Sequence, residues 1–354
     1  MYKINSTGKV LYMSPSDGPQ VMDAFISSAI SPDFIHLSHD AKYDKRLNII
    51  EISRMDSSVR ELLAGLANRG FYVYMFSDGV SRLVQHTQLG NLWNPVKHGT
   101  FEMDKNGVVY TLQAPQVATD SPKLLVVFSS IHETMYTASL MRYFTQNFAS
   151  IQKYVAPETI VLRIADVGGI IGSFYLNNKY DPNNANSIQS LISSIVAKYS
   201  IKHESVVLYG GSKGATGALY HGLVGQYGVV AVEPIVNDEH YYATYDDLHF
   251  TKNTCFDRKK ETEFLSVIDA FRKRVEPCDR TRIAIVYSQR SPQRTYIEKH
   301  AIVPLAQYIR VYNSEHPNIK DHPDVARNAI PITLASINTL LYNLSLDVGS
   351  QTII

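Results

Sequence analysis

Cysteine is scarce in this chain. Cys255 and Cys278 are the two in 354 residues, too few for a disulfide framework and wrongly spaced for a zinc ribbon, so both are expected as plain thiols. Neither sign of charge dominates. The 34 basic side chains face 33 acidic ones and leave a formal charge of +1. Nucleic-acid binders carry a basic excess that neutralises phosphates, so nucleic acid is not an expected partner. No apolar run reaches the ~18 residues of a membrane span, and the opening MYKINSTGKVLYMSPSDG has no apolar stretch of signal-peptide length. A cytoplasmic protein without a membrane span is expected. Tryptophan occurs once, at Trp93, beside 23 tyrosines.

Apolar residues supply 45% of the chain and charged ones 19%, enough for a large core and against disorder. Two textures follow each other. Residues 1–118 read as a small α/β region. Asp56–Asn68 carries Val59, Leu62, Leu63 and Leu66 at helical spacing behind an Asp/Ser start, with Gly70 ending it and a strand following at Phe71–Phe76. FEMDKNGVVYTL predicts a hairpin about Asn106-Gly107. The polar, proline-bearing Gln113–Pro122 is the expected linker. Residues 119–354 change to short unbroken apolar runs at Leu124–Phe128, Ile160–Ile164, Val206–Tyr209, Val229–Val232, Ile283–Tyr287 and Tyr308–Tyr312. Such runs belong to strands buried on both faces, which predicts an α/β fold with a doubly wound, mostly parallel sheet. Helices are expected at Ser187–Tyr199, with a serine cap, and within Pro323–Leu344, where Pro331 falls early or at a break.

The segment richest in chemistry is Val206–Gly217, VVLYGGSKGATG. A buried strand runs into G-x-S-x-G and then into a small-residue helix, the context of a nucleophile elbow. Glycines are needed because side chains two residues either side of the serine would strike the neighbouring strand and helix. Ser212 is the candidate nucleophile. The N–H of Lys213, at the free end of the helix, is the candidate oxyanion donor. A glycine-rich turn of this kind also binds phosphates in dinucleotide folds, which is the competing reading.

Serine, acid and histidine should follow in that chain order, with the imidazole after the last core strand. Asn313–Asp324 holds His316 and His322. His322 is preferred because it directly precedes a Pro323-Asp324 helix start. The acid is harder to find. The loop Ser288–Gln293 holds no carboxylate, so Glu233, at the carboxyl end of the preceding strand, is the candidate ahead of Asp238. A dyad oriented by a backbone carbonyl or by Ser288 is the alternative. The N–H of Ser130 is expected as second oxyanion donor, and His132 with Arg290 and Arg294 as substrate contacts. His36 and His39 have metal-like spacing without a third ligand and read as structural, so no metal is expected.

LLVVFSS followed by Met141–Phe144, the YGGSKGATGAL elbow, the closing DHPDV and the upstream FYVYMFSDGVSRLV together resemble the XcbB/CpsF family of bacterial capsular polysaccharide biosynthesis proteins. A more distant similarity is to the accessory Sec protein whose hydrolase-like domain modifies glycans on exported adhesins. The resemblance implies an α/β-hydrolase-like fold and work on a capsular polysaccharide or its precursor, alongside other capsule biosynthesis proteins. The expected activity is serine-dependent acyl transfer, by an O-acyltransferase or an esterase. No cofactor is expected beyond an acyl donor such as acetyl-CoA for a transferase. The alternative is a non-catalytic scaffold of the capsule assembly complex that keeps the elbow as architecture, a reading suggested by the missing carboxylate after Tyr287.

Overall fold

The computed structural model describes residues 3–5, 7–18 and 32–354. Met1, Tyr2 and Ser6, part of the opening stretch read above for a signal peptide, lie outside the described residues.

The first third builds a small mixed sheet. Lys3–Ile4 (β1), Val10–Met13 (β2), Phe34–Ser38 (β3), Phe71–Ser77 (β4) and Val80–Gln85 (β5) lie in the order β1-β2-β3-β5-β4. Only β2 and β3 run parallel. The β4–β5 turn uses Asp78 and Gly79, both at positive φ (53° and 70°), as a two-residue hairpin demands. Helix Ser57–Ala67 (α1) forms where the periodicity predicts it. Asp56 caps it by accepting from the Ser58 and Val59 amides, and Val59, Leu62, Leu63 and Leu66 are buried. They share a core with Leu11, Ile35, Leu37, Val73 and Leu83 of the sheet, and with Ile170 and Ile171 from a loop of the second half.

The Asn106-Gly107 hairpin forms between Glu102–Met103 (β6) and Val109–Gln113 (β7), with Gly107 at φ 86°. It does not stay with the N-terminal sheet. β7 pairs antiparallel with Thr159–Ile164 (β9), so membership of the larger sheet begins at Glu102, ahead of the boundary expected at 118. Ladder pairing decides this, and local composition does not report it. The Gln113–Pro122 stretch is also tied down, the Gln116 amide donating to the Pro157 carbonyl at 2.9 Å.

Lys123–Phe128 (β8), β9, Val206–Gly211 (β10), Gly228–Val232 (β11), Ile283–Tyr287 (β13), Arg310–Ser314 (β14) and Gly349–Ile353 (β16) are all parallel. A short antiparallel pair, Arg280–Thr281 (β12) with Leu346–Asp347 (β15), stands beside them. Among the described residues the larger sheet runs β16-β14-β13-β11-β10-β8-β9-β7-β6. The six expected core strands are all present; the last begins at Arg310 rather than Tyr308. Unbroken apolar strands need cover on both faces. Leu124, Val126 and Phe128 pack with Ile188, Leu191 and Ile192 of helix Asn184–Lys198 (α2). The alternate residues Leu125 and Val127 pack on the other face with Ile337 and Leu340. Helices Lys213–Gly225 (α3) and Lys260–Arg272 (α4) cover β11 and β13. Helix α2 begins before Ser187, at a cap residue, Asn183, whose side chain makes no cap bond, so the expected serine cap is not used. The C-terminal helical stretch is two helices, His322–Asn328 (α5) and Ile330–Leu341 (α6), with Pro331 in the first turn of α6. The result is an α/β-hydrolase-like fold whose parallel strands present their carboxyl ends to one edge.

Candidate active site

At that edge β10 turns into α3 through Ser212, whose φ and ψ are 55° and −122°. A non-glycine residue held there costs about 1–3 kcal/mol, which the surroundings must sustain. They do so with the Ser212 amide donating to the Val232 carbonyl of β11 at 2.9 Å, and the Ser212 carbonyl accepting from the Ala215 amide at 3.0 Å. The flanking glycines are steric necessities. A Cβ on Gly210 would stand 2.2 Å from the Gly214 carbonyl oxygen, and one on Gly214 would stand 2.2 Å from the Phe128 carbonyl oxygen of β8. The turn can be this tight because both sites are bare.

His322 opens α5. Asp321 caps the helix by accepting from the His322 amide at 2.7 Å, and Pro323 fixes the next φ. The ring thereby returns over the sheet edge. Its Nε2 is 2.8 Å from Ser212 Oγ and its Nδ1 is 3.0 Å from Glu233 Oε2. A carboxylate only accepts, so Nδ1 carries the proton and Nε2 is left to accept from the serine hydroxyl. His316 lies away from this chain of bonds, its Nδ1 accepting from the Asn318 amide at 3.3 Å.

Glu233 is the first residue after β11, held at φ 54° with its amide donating to the Val286 carbonyl. It is 1% exposed, and buried carboxylates need donors. The loop after β13, which has no acid of its own, provides them: the Ser288 amide reaches Oε1 at 2.9 Å and the Ser291 hydroxyl reaches Oε2 at 2.5 Å. Glu233, from the neighbouring strand, thus stands where the loop after Tyr287 offers no carboxylate of its own. Asp238, the second candidate, is committed elsewhere, bound through both oxygens by buried Lys260 Nζ at 2.8 and 2.7 Å.

The oxyanion side differs from expectation. The Lys213 amide is the first of α3, without an acceptor inside the helix. The Ser130 amide instead donates to Asn147 Oδ1 at 2.8 Å, and Asn147 Nδ2 donates to Ser130 Oγ at 2.8 Å. That amide is engaged by a side chain and is not available as a donor in this arrangement. Arg294 is likewise committed, its Nε donating to Glu298 Oε1 at 3.1 Å. Arg290 is exposed, with the Pro317 carbonyl its guanidinium's acceptor at 3.5 Å. His132 lines a cavity of about 640 Å3 with Phe101, Met141 and Phe144, and accepts at Nδ1 from the Thr134 amide.

Two further features were not read from the sequence. Lys213 Nζ, fully buried, pairs with Asp166 Oδ2 at 3.1 Å. The glycine-rich ADVGGIIG at the carboxyl end of β9 was the signal for that loop. His249 packs on Tyr241, ring centroids 3.7 Å apart, and burial, followed by the charge of Lys260, pushes its pKa well below the usual imidazole value. Among the described residues no group of three or more His, Cys, Asp or Glu is arranged to hold a metal. His39 Nε2 lies 2.9 Å from Ser81 Oγ, and His36 stands edge-on to Tyr12. No described helix is long and apolar enough to cross a membrane.

A parallel sheet with an elbow serine, a buried acid and a returning histidine, in that chain order, defines the α/β-hydrolase-like class. No family model and no curated protein matches the sequence. Among solved structures the chain is similar to a glycosylation-associated protein complex (Gap123) of Streptococcus agalactiae (16% identity, TM-score 0.45), over 76% of this chain and 52% of that chain. It therefore spans about half the length of that chain. It is also similar to the fluorophosphonate-binding serine hydrolase FphF of Staphylococcus aureus (13% identity, 67% of this chain and 96% of that one, TM-score 0.48). A third is the capsule O-acetyltransferase of Neisseria meningitidis serogroup A (17% identity, 68% and 93%, TM-score 0.46).

Proposed function

We propose that the protein is a serine-dependent acyl-transfer enzyme, an O-acyltransferase or esterase acting on a capsular polysaccharide or its precursor. The observation that carries the chemistry is the continuous bond path from Ser212 Oγ through both ring nitrogens of His322 to Glu233. Ser212 attacks an ester or thioester carbonyl while its proton passes to His322 Nε2. The Lys213 N–H receives the developing oxyanion. His322 returns the proton to the departing alcohol or thiol, leaving an acyl-serine; it then takes a proton from water or a sugar hydroxyl as that attacks the acyl carbonyl, and gives it to Ser212 Oγ as the acyl–oxygen bond breaks and frees the acid or acylated sugar. Glu233 holds the ring in its tautomer and stabilises the imidazolium. The polysaccharide substrate rests on the resemblance of the LLVVFSS, YGGSKGATGAL and DHPDV segments to the XcbB/CpsF family.

A fluorophosphonate probe tests the nucleophile: intact protein is expected to be labelled and Ser212→Ala not at all. An unlabelled wild type overturns the reading. Supplying an acyl donor with and without polysaccharide then assigns the acceptor, from whether free acid or acylated polymer accumulates.

A further inference from the structure

The first residue of α3 contributes more than an amide. Lys213 turns its side chain into the interior, where Nζ meets Asp166 Oδ2 at 3.1 Å and the Ile171 carbonyl at 3.3 Å. Asp166 is itself the hub of the loop 165–176. It accepts from Ser173 Oγ at 2.8 Å, from the Phe174 amide at 2.9 Å and from the Tyr175 amide at 3.1 Å. Phe174 and Tyr175 adopt positive φ (55° and 62°) to aim those amides inward. Gly172, at φ 130°, leaves the space the pair occupies: a Cβ there would lie 2.3 Å from Asp166 Oδ2 and 2.6 Å from Lys213 Nζ. So much backbone bent around one carboxylate is costly, and it anchors a residue directly after the nucleophile.

The same loop reaches the other side of the oxyanion region. Tyr175 Oη donates to the Ser129 carbonyl at 2.9 Å, just before Ser130. From behind, buried Arg142 links the loop to the small sheet, donating to the Ile170 carbonyl at 2.8 Å and to the Val73 carbonyl of β4 at 2.6 Å. Tyr143 Oη donates to the Gly169 carbonyl at 3.0 Å.

We infer that the Lys213–Asp166 ion pair, held by loop 165–176 and backed by the N-terminal sheet, is a positioning device that fixes the Lys213 amide toward the oxyanion. The inference rests on the reading of Ser212 as nucleophile. Asp166 and the Lys213 side chain are positioning residues, since neither touches the reacting atoms and both act through one peptide N–H.

The test measures the fluorophosphonate labelling rate, the melting temperature, and protection by phenylboronic acid, whose tetrahedral serine adduct samples the oxyanion donors. Asp166→Asn and Lys213→Met each leave one buried charge without its partner, and each should lower Tm by about 10 °C. The double variant removes both charges while keeping volume, and should recover most of that loss. Its labelling should nevertheless stay about 10-fold or more slower than wild type, with boronate affinity weakened to match. Recovery of wild-type labelling and boronate affinity along with Tm would make the pair purely structural and overturn the inference. Should the double variant lack a cooperative melt, Ser173→Ala decides, removing one donor to Asp166: labelling about 5-fold slower supports the inference, and a wild-type rate overturns it. An unlabelled wild type is a different failure, since it removes the nucleophile itself.

Discussion

Two buried pairs of a basic side chain and a carboxylate meet at the elbow, His322 with Glu233 and Lys213 with Asp166, each at about 3 Å. In the second, the ammonium is sealed at 0% exposure, and three donors from the loop complete the carboxylate. That ammonium also meets the Ile171 carbonyl at 3.3 Å. In the first, Glu233 is equally buried, yet the imidazole is 9% exposed and keeps one nitrogen for Ser212. A base that is to take a proton needs a nitrogen free to accept one, and the first pair keeps it while the second has none. Similar distances therefore carry opposite duties, and the number of remaining acceptor sites tells them apart.

The sharpest way to break this comparison is to remove that free nitrogen. His322→Ala should cut turnover of an activated ester by about 10^4-fold or more, while His316→Ala should leave it within about 2-fold, since a surface substitution has little to disturb. Loss of activity in His316→Ala alone would reassign the base. Next in size is Glu233→Gln, which keeps the shape but offers an amide where the ring needs an acceptor. It should lower kcat by up to about 10^4-fold with KM nearly unchanged, because the wrong tautomer is then favoured. An effect confined to KM would make Glu233 a structural residue.

The smallest effect concerns imidazoles buried without a hydrogen-bonded carboxylate. His221, stacked on Phe128, is pushed down to about 4 by burial, and burial also holds His249 well below its ordinary value of 6.5. Both stay neutral in the fold while the unfolded chain still binds their protons. Stability should thus be whole above pH 6.5 and fall as pH drops from there toward 4, by up to roughly 1.4 kcal/mol per unit for His221, with His249 acting in the same direction. Urea midpoints of wild type and His221→Gln across that range measure it, and equal slopes would show that His221 is not responsible.

The parts of this design that local sequence reveals are those with a local cause. Val206–Tyr209 must be a buried strand because it is apolar throughout, and Gly210 and Gly214 must be bare because backbone lies 2.2 Å from where a Cβ would stand. His322 was legible because Pro323 and Asp324 start a helix at its side. Glu233 was legible only by elimination, since its donors, Ser288 and Ser291, come from the next strand's loop. What stayed hidden depends on pairing across the chain. Gly349–Ile353 is a polar stretch that becomes β16 because β14 offers it a free edge. The β6–β7 hairpin announced its turn but not its sheet. Ser130 was read as a free amide, and Asn147, from a loop with no signature, occupies it.

The candidate acid Glu233 leaves β11 rather than β13, so it and the candidate nucleophile belong to one uninterrupted stretch, Ser212 to Glu233. The stretch from Pro234 to Leu305 then adds β13 and α4 to the core and meets Glu233 through the Val286 carbonyl, the Ser288 amide and the Ser291 hydroxyl. Its exposed loops can change length or composition while β13 keeps Ser288 and Ser291 against Glu233.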